Sequence, residues 1–226
     1  MQTSGANFYL TELKFVGVIL RVAGVVVSAR KEGNCLHCMK YCLQKLSEMG
    51  FDTLLINFYD YNILPCSHCN YECYAFEIRG REERCPINDD VPRIYGMLEG
   101  ADAIIFAIPN YGGHVPALYR AWDMRVAHIP GKTDFARRYE DFERDYLKKI
   151  LGFIVIGNLA SGADMMLHEL LYDFYNLPRI PEVLLLQSTE FGRSSLKGDL
   201  IEEEAVRKRL DVFINAILRI LKQRGQ

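Results

Sequence analysis

The chain has 226 residues, of which 50% are apolar, and a formal net charge of −2 at pH 7. This length and apolar content suffice for the core of one domain. Acidic and basic side chains are mixed along the chain, so no basic stripe invites a nucleic-acid backbone and we expect no nucleic-acid partner. The apolar run from Phe15 to Val27 contains Arg21 and is short for a bilayer. We therefore expect no membrane span, no signal peptide and a cytoplasmic location.

The first predicted element is a strand at residues 21–27, a valine-rich run with few polar side chains. A polar turn follows, and residues 35–49 then repeat apolar side chains at the three- and four-residue spacing of a helix. The same alternation continues to the end of the chain. Further strands are predicted at residues 53–58, 102–108, 150–156 and 182–187, and further helices at residues 91–99, 115–128, 163–176 and about 201–222.

Alternating strands and helices predict an α/β fold in which helices cover both faces of a doubly wound parallel sheet. With five strands, the most economical arrangement is the flavodoxin-like order 2-1-3-4-5. We assign residues 21–226 to this domain and residues 1–20 to an N-terminal extension. Within the domain, residues 58–90 form a cysteine-rich loop, and the charged residues 131–149 are predicted to form a helical insertion on the surface.

The turn after the first predicted strand, SARKEGN, is a candidate phosphate site. It leads into a helix N-terminus, where backbone N–H groups and a partial positive charge attract anions, and Ser28, Arg30 and Asn34 add side-chain donors. The turn has neither the P-loop spacing nor the Gly-x-Gly-x-x-Gly fingerprint. An ordinary polar turn with Asn34 as the N-cap is an equally good interpretation of this stretch alone.

The turn after the third predicted strand reads PNYGG, from Pro109 to Gly113. Its tyrosine offers a flat aromatic ring, and its two glycines let the backbone approach a planar ligand closely. In a sheet of this order the first and third strands are neighbours at the point where ligands bind. A phosphate site beside an aromatic, glycine-rich turn suits a flavin mononucleotide, FMN.

Several stretches occur together in the order expected of one known family. They are SARKEGN before a helix, PCSHCNYEC followed by CPINDD, ADAIIFAIPNYGGHVPALYRAWDMR, and GNLASGAD after the fourth predicted strand. Together they resemble the NADPH-dependent FMN reductase family, and more specifically its iron-sulfur flavoprotein branch. The resemblance covers roughly residues 21–190, which is most of the chain.

The resemblance implies a set of residues around each part of FMN. The residues implied around the phosphate are Ser28, Arg30, Asn34 and Cys35. Those implied at the border of the isoalloxazine ring are Pro109, Asn110, Tyr111, Gly112 and Gly113, with Gly157, Asn158, Ser161 and Gly162 on its other edge. One departure stands out, because the family usually places threonine where this chain has Cys35, and a thiol is a weaker donor than a hydroxyl.

The cysteine-rich loop contains Cys66, Cys69, Cys73 and Cys85, with two, three and eleven residues between them. Four thiolates are the usual ligands of a [4Fe–4S] cluster, and a proline such as Pro86 follows the last ligand in ferredoxin sequences. The resemblance implies a cluster in this loop, close to the flavin, although the last two gaps are longer than is usual in that family. Alternatives are a structural Zn²⁺ site, free thiols without metal and, least of all, a disulfide.

The remaining cysteines, Cys35, Cys38 and Cys42, share one face of the first predicted helix. We interpret Cys38 and Cys42 as small apolar core residues. His68 lies among the cysteines of the loop and is interpreted as a solvent-facing residue that could replace one ligand. The other histidines are not paired with any nucleophile motif, so we assign no catalytic side chain.

These features predict an FMN-dependent oxidoreductase that passes electrons between a donor, either NAD(P)H or a ferredoxin-like protein, and an acceptor. Other hypotheses are an FMN-only NAD(P)H:quinone or metal-ion reductase, and a non-catalytic flavodoxin-like protein with a structural zinc loop. The resemblance also implies a homodimer or homotetramer in which a neighbouring subunit covers the flavin.

Overall fold

The computed structural model describes residues 19–67, 87–126, 149–158, 162–172 and 181–224. Three of the sequence-based predictions lie largely outside these residues. They concern the N-terminal extension, most of the cysteine-rich loop and the charged insertion at residues 131–149. Ser161, Cys69, Cys73, Cys85 and His68 are also outside the described residues.

A single sheet contains the five predicted strands, all parallel to their neighbours. In chain order the strands are Arg21–Val26 (β1), Asp52–Asn57 (β2), Ala103–Pro109 (β3), Ile150–Gly157 (β4) and Glu182–Gln187 (β5). They lie in the order β2-β1-β3-β4-β5, which confirms the predicted doubly wound arrangement. Strands β3 and β4 are buried along their whole length, as expected for the centre of a parallel sheet.

Helices follow the strands as predicted. They are Asn34–Glu48 (α1), Val91–Glu99 (α2), Ala117–Val126 (α3), Ala163–Tyr172 (α4) and Glu204–Arg224 (α5). Two of them begin later than the sequence patterns suggest. Helix α3 starts at Ala117 because Pro116 disfavours helical backbone at Val115 before it, and the Pro116 carbonyl accepts hydrogen bonds from the first turn. Before α5, Leu200–Glu202 forms a 3₁₀ turn whose first N–H bonds to the side chain of Asn34, so the α-helix begins only at Glu204.

The sheet has an apolar core on each face. On one face α1 and α5 pack against the central strands, and on the other face α2, α3 and α4 do so. Two glycines allow the close packing on the first face. A Cβ at Gly24 would lie 2.4 Å from the Met39 sulfur, and one at Gly152 would lie 2.7 Å from the Phe213 ring. The helices therefore approach the sheet more closely than any larger residue at these positions allows.

The second face is rich in aromatic side chains. The rings of Phe106 and Phe153 stack with their centroids 5.4 Å apart, and Trp122 of α3 packs on Phe106 at 5.7 Å. Aromatic pairs at these separations add to the apolar burial that fixes α3 on the sheet. Among the helices of the described ranges, none combines the length and apolar content needed to cross a membrane.

Candidate functional site

The turns that follow β1, β3 and β4 meet at the carboxyl edge of the sheet. Because the strands are parallel and β1 lies beside β3, the chain leaves the sheet in opposite directions at this pair. Such a point is where open α/β sheets bind ligands. The sheet extends to the first residues of these turns, since the Val27 N–H donates to the Ala107 carbonyl of β3 and the Asn110 N–H donates to the Ile156 carbonyl of β4.

The turn after β1 ends at an open helix N-terminus. Helix α1 begins at Asn34. Its N-cap residue is Gly33, which has extended backbone and no side chain to accept a hydrogen bond from the first turn. The prediction that Asn34 is the N-cap is therefore wrong, because Asn34 is already the first helical residue. The first turn of α1 also carries no acidic side chain. This leaves the backbone N–H groups of the turn as donors for an anion.

The side chain of Asn34 is directed into the protein, where it is almost fully buried. Its amide nitrogen donates to the Ser195 carbonyl at 3.3 Å, and its oxygen accepts from the Leu200 N–H at 3.0 Å. Both ends of the side chain thus hold the segment that follows β5. A contact from Asn34 to a phosphate would come from its backbone N–H.

The other predicted phosphate residues stabilise the same turn. The buried Ser28 hydroxyl oxygen accepts from the Arg30 N–H at 3.2 Å. The Arg30 guanidinium donates to the carbonyls of Leu196 and Ser195, at 2.9 and 2.7 Å, and lies against Gly33. Its positive charge therefore remains beside the start of α1, where it adds to the partial charge of the helix.

Cys35, in the first turn of α1, is buried with 4% of its surface exposed. Burial raises the pKa of its thiol to about 12, although the nearby charge of Arg30 opposes the shift. The group is thus a neutral thiol at physiological pH. A neutral thiol does not repel an anion, and it replaces the hydroxyl of the usual threonine without adding charge.

The turn after β3 presents Tyr111 to solvent. Tyr111 is 46% exposed, and its backbone pairs with that of His114 through two hydrogen bonds of 3.3 Å. The Asn110 side-chain oxygen accepts from the Gly113 N–H at 2.9 Å and closes the turn. Gly112 and Gly113 have φ values of 64° and 89°, which residues with a Cβ rarely adopt.

The turn after β4 touches the turn after β3 through glycine backbones. A Cβ at Gly162 would lie only 2.6 Å from the Gly113 Cα, so both positions need glycine for the turns to meet. Gly157 ends β4, and Asn158 follows it with its carbonyl accepting from the Thr189 hydroxyl at 2.6 Å. The structure thus brings together Asn110, Gly113 and Gly162, and it anchors Asn158 to the segment after β5.

A network around Glu169, which sequence analysis missed, supports the turn after β3. The carboxylate of this α4 residue accepts from the Val115 N–H at 3.2 Å and from the Arg120 guanidinium at 2.9 and 2.8 Å. Partial burial opposes ionisation, but these hydrogen bonds outweigh it and lower the pKa of Glu169 below its usual value. No local pattern could identify this residue, since its partners are about fifty positions away in the sequence.

The described part of the cysteine-rich loop includes Cys66, which is exposed and has a free thiol. Within the described residues no three His, Cys, Asp or Glu side chains converge as a metal site, and the other three cysteines of the predicted ligand set lie outside those residues. Cys38 and Cys42, both residues of α1, are buried in the core, and burial raises the pKa of both thiols. Their interpretation as small core residues is confirmed.

The fold is that of the flavodoxin-like class of α/β proteins. The family model for NADPH-dependent FMN reductase matches residues 20–187, and the chain belongs to this family. Similar proteins include the iron-sulfur flavoprotein of Methanocaldococcus jannaschii, which is 35% identical over 156 residues, covering 69% of this chain and 72% of that protein. An iron-sulfur flavoprotein of Archaeoglobus fulgidus is 29% identical over 172 residues, covering 73% of this chain and 80% of that protein. The predicted family and its iron-sulfur flavoprotein branch are confirmed.

Solved structures share the fold at low sequence identity. RosB, crystallised with a bound riboflavin-phosphate intermediate, superposes with a TM-score of 0.64 at 13% identity, over 92% of this chain and 82% of its own. The NAD(P)H:quinone oxidoreductase of Methanothermobacter marburgensis gives a TM-score of 0.55 at 16% identity, over 88% and 95% of the two chains. At these identities the comparison establishes the flavodoxin-like fold alone.

Proposed function

We propose that this oxidoreductase binds FMN across the turns after β1, β3 and β4 and passes electrons from a donor to an acceptor. The observation that carries the proposal is the meeting of these turns at one edge of the sheet. An open helix N-terminus with Arg30 beside it lies at one end, and the paired glycines with an exposed Tyr111 lie at the other. One end suits an anion and the other suits a flat ring.

The phosphate would be held chiefly by backbone N–H groups. The side chains of Ser28 and Asn34 already bond within the protein, so they shape the turn, and the N–H groups of the first turn of α1, which have no helical acceptors, would bind the anion. The charge of Arg30 and the neutral Cys35 thiol complete the surroundings of the anion. Charge-assisted contacts of this kind are stronger than neutral hydrogen bonds.

The isoalloxazine ring would lie against the glycine turns. The residues proposed at its border are Pro109, Asn110, Tyr111, Gly112, Gly113, Gly157, Asn158, Ser161 and Gly162. Without side chains at the glycines, the backbone of both turns can approach a planar ligand closely. When bound, FMN accepts electrons in pairs from a nicotinamide and releases them singly. The protein's part is to position and desolvate the ring, and no side chain is required as a general base.

We further propose that Cys66, Cys69, Cys73 and Cys85 hold a [4Fe–4S] cluster. Cysteine thiolates are the usual ligands of such clusters, and the similar proteins from the two archaea bear the name iron-sulfur flavoprotein. Cys66 lies on the segment that leaves the carboxyl end of β2, nine residues after Asn57, and its thiol is exposed. A cluster carries electrons one at a time, so it would connect the flavin to a one-electron partner.

The proposed donor is NAD(P)H, which the family's description as NADPH-dependent FMN reductase supports, or a ferredoxin-like protein, which would exchange single electrons with a cluster. We also propose a homodimer or homotetramer in the cytoplasm.

Anaerobic purification followed by cofactor analysis tests the proposal. We expect about one FMN per chain, together with iron and acid-labile sulfide in equal amounts near four per chain. Bound FMN without iron would support the FMN-only reductase instead. Zinc without flavin would contradict the proposal and favour the non-catalytic alternative. Adding NADPH before any protein partner then separates the two donors, since only a direct NADPH donor bleaches the flavin absorbance at once.

A further inference from the structure

A buried asparagine at the end of β2 contacts the turn that follows β1. Asn57 is the last residue of its strand and lies beside Val26, the last residue of β1. It is 7% exposed. An amide side chain with this degree of burial needs hydrogen-bond partners at both of its ends, and the identity of these partners shows what the residue holds in place.

Both ends of the Asn57 side chain bond to backbone groups. The oxygen accepts from the Tyr59 N–H at 3.3 Å and so caps the short 3₁₀ turn Phe58–Asp60. The amide nitrogen donates to the Lys31 carbonyl at 3.2 Å, across 26 positions of sequence. Lys31 belongs to residues 28–34, the stretch SARKEGN, which we call the phosphate turn. Asn57 therefore fixes this turn from the neighbouring strand.

The bond to the Lys31 carbonyl also fixes the direction of the next N–H group. In a planar trans peptide unit, the carbonyl of one residue and the N–H of the following residue point in opposite directions. The peptide bond between Lys31 and Glu32 is trans. Because the Lys31 carbonyl is directed at Asn57, the Glu32 N–H points away from Asn57 and from the end of β2.

The Glu32 N–H has no hydrogen-bond acceptor among the residues that the structure describes. The carboxylate of the same residue extends to α1, where it lies 3.3 Å from Nε2 of His37. The backbone donor that Asn57 orients is thus left open, directly before the first turn of α1, whose own N–H groups lack helical acceptors. Successive backbone N–H groups of this kind form binding sites for anions.

Two separate segments hold the phosphate turn in this arrangement. Arg30 and Asn34 bond to the Ser195 carbonyl in the segment after β5, at 2.7 and 3.3 Å. Asn57 adds the contact from β2. Loss of the Asn57 contact would leave the turn attached to the protein but would free the peptide unit between Lys31 and Glu32 to rotate.

We propose that Asn57 is a positioning residue for the FMN phosphate, because it aims the Glu32 N–H at the anion. The inference rests on the proposed FMN site for its ligand, whereas the hydrogen bonds of Asn57 are present without one. Asn57 acts on the phosphate through the backbone and not by contact. It should therefore affect the affinity for the phosphate and leave the affinity for the isoalloxazine ring unchanged.

The test compares FMN with riboflavin, which has the ring but no phosphate. The ratio of the riboflavin dissociation constant to the FMN dissociation constant, measured by titration of flavin-depleted protein, reports the contribution of the phosphate. Asn57→Leu keeps the branched shape of the side chain but cannot donate a hydrogen bond. We expect it to lower this ratio by about tenfold, because one charge-assisted hydrogen bond is no longer aimed. An unchanged riboflavin dissociation constant would show that the variant is folded.

Gln187→Leu is the matched control. Gln187 is the last residue of β5, the other edge strand, and it also precedes a 3₁₀ turn, but its side chain does not cap that turn. The ratio should keep its wild-type value in this variant. A wild-type ratio in Asn57→Leu as well would overturn the inference and leave the FMN site in place. A wild-type chain that binds neither flavin, or binds both equally, would instead reject the proposed phosphate site and the inference with it.

A second measurement uses the wild-type chain, so it does not depend on the folding of a variant. A hydrogen bond to a phosphate oxygen moves the NMR signal of an amide proton downfield. We expect the Glu32 amide proton to lie further downfield in the FMN complex than in the riboflavin complex, while the Tyr59 amide proton, which bonds to the Asn57 oxygen, moves less. Equal positions of the Glu32 signal in the two complexes would show that this N–H does not bind the phosphate, and the inference would be wrong.

Discussion

Two glycines, Gly113 and Gly162, decide how closely the turns after β3 and β4 can meet. Both have positive φ values, and the backbone of each fills the space where a Cβ of the other would lie. The neighbouring Tyr111 is exposed at the same edge. Glycine is therefore required here for two independent reasons, backbone conformation and space. The space requirement is the one that concerns ligand binding, because a side chain at either position would push the two turns apart and change the surface against which a flat ring would lie.

Replacing Gly162 by alanine should weaken FMN binding by about tenfold or more, which corresponds to about 1.4 kcal/mol. The new Cβ would lie 2.6 Å from the Gly113 Cα and force the turns apart. Gly192→Ala is the matched control, since Gly192 has a similar φ of 63° and nothing within 4 Å of the added Cβ. Titration with FMN measures the affinities. Both variants should lose stability through backbone strain, by about 1–2 kcal/mol. Equal FMN affinity in the two variants would contradict the proposed ring site.

At this scale the sequence indicates which turns matter but not what each side chain does. Ser28, Arg30 and Asn34 stand out because a polar turn before a helix suits an anion. The partners of the Arg30 and Asn34 side chains lie in residues 195–200, more than 160 positions along the chain, so no local pattern could show that they hold that segment. Glu169 cannot be recognised from the sequence for the same reason. A side chain whose partners are distant in sequence becomes recognisable only once the fold brings them together.

Among the elements, α3 and α4 are connected to the turn after β3 by Glu169. This carboxylate receives hydrogen bonds from the backbone of Val115 and from the side chain of Arg120, which also pairs with Asp123 at 3.1 Å. The turn after β3 is thereby connected to two helices, α3 and α4, as well as to the sheet. A charged group in such a position makes the strength of the connection depend on pH, because only the ionised carboxylate accepts all of these hydrogen bonds.

Glu169→Gln should remove a pH-dependent part of the protein's stability. The pKa of Glu169 is lowered below 4.5 in the folded chain, so the unfolded chain binds the proton more readily. The stabilisation is therefore complete above pH 4.5 and is lost as the pH falls through the folded pKa. Urea unfolding across this acid range should show a weaker pH dependence for the variant, and a loss of about 1–2 kcal/mol at neutral pH.

Glu204→Gln is the control for this experiment. The pKa of Glu204 is also lowered, by its hydrogen bond to Lys208, but both side chains are more than 70% exposed. Solvent screens such a pair, so its loss should change the free energy of unfolding less than the loss of Glu169. If the two variants behave alike, the Glu169 network does not hold the turn.

The elements themselves were largely predictable because each strand is a short apolar run and each helix has a clear apolar face. The second helix, Val91–Glu99, has the predicted ends. The exceptions depend on tertiary contacts or on single residues. Helix α5 starts three residues late because Leu200 bonds to Asn34 on a distant helix. Helix α3 starts late because Pro116 disfavours helical backbone at the residue before it, and the sequence does contain this signal.

For the whole molecule, the proposed FMN site depends on strands that are far apart in the sequence but neighbours in the sheet. The turns after β1, β3 and β4 all contribute, and the segment after β5 supports the first of them through Arg30 and Asn34. A ligand held by all of these turns binds only the folded chain. Binding of FMN is therefore coupled to the global unfolding equilibrium. Comparing flavins with and without the phosphate then separates the phosphate's contribution to the free energy of unfolding from that of the ring.

Flavin-depleted protein should be stabilised by FMN more than by riboflavin at the same concentration. FMN at 100 times its dissociation constant should add about 2.7 kcal/mol to the free energy of unfolding, measured in urea. Riboflavin keeps the ring but lacks the phosphate, so it cannot use the N–H groups at the start of α1 or the charge of Arg30. Its dissociation constant should be at least about tenfold higher, because charge-assisted hydrogen bonds contribute about 1.5–3 kcal/mol. Equal stabilisation by the two flavins would show that the turn after β1 does not bind the phosphate, and the proposed orientation of FMN on the sheet would then be wrong.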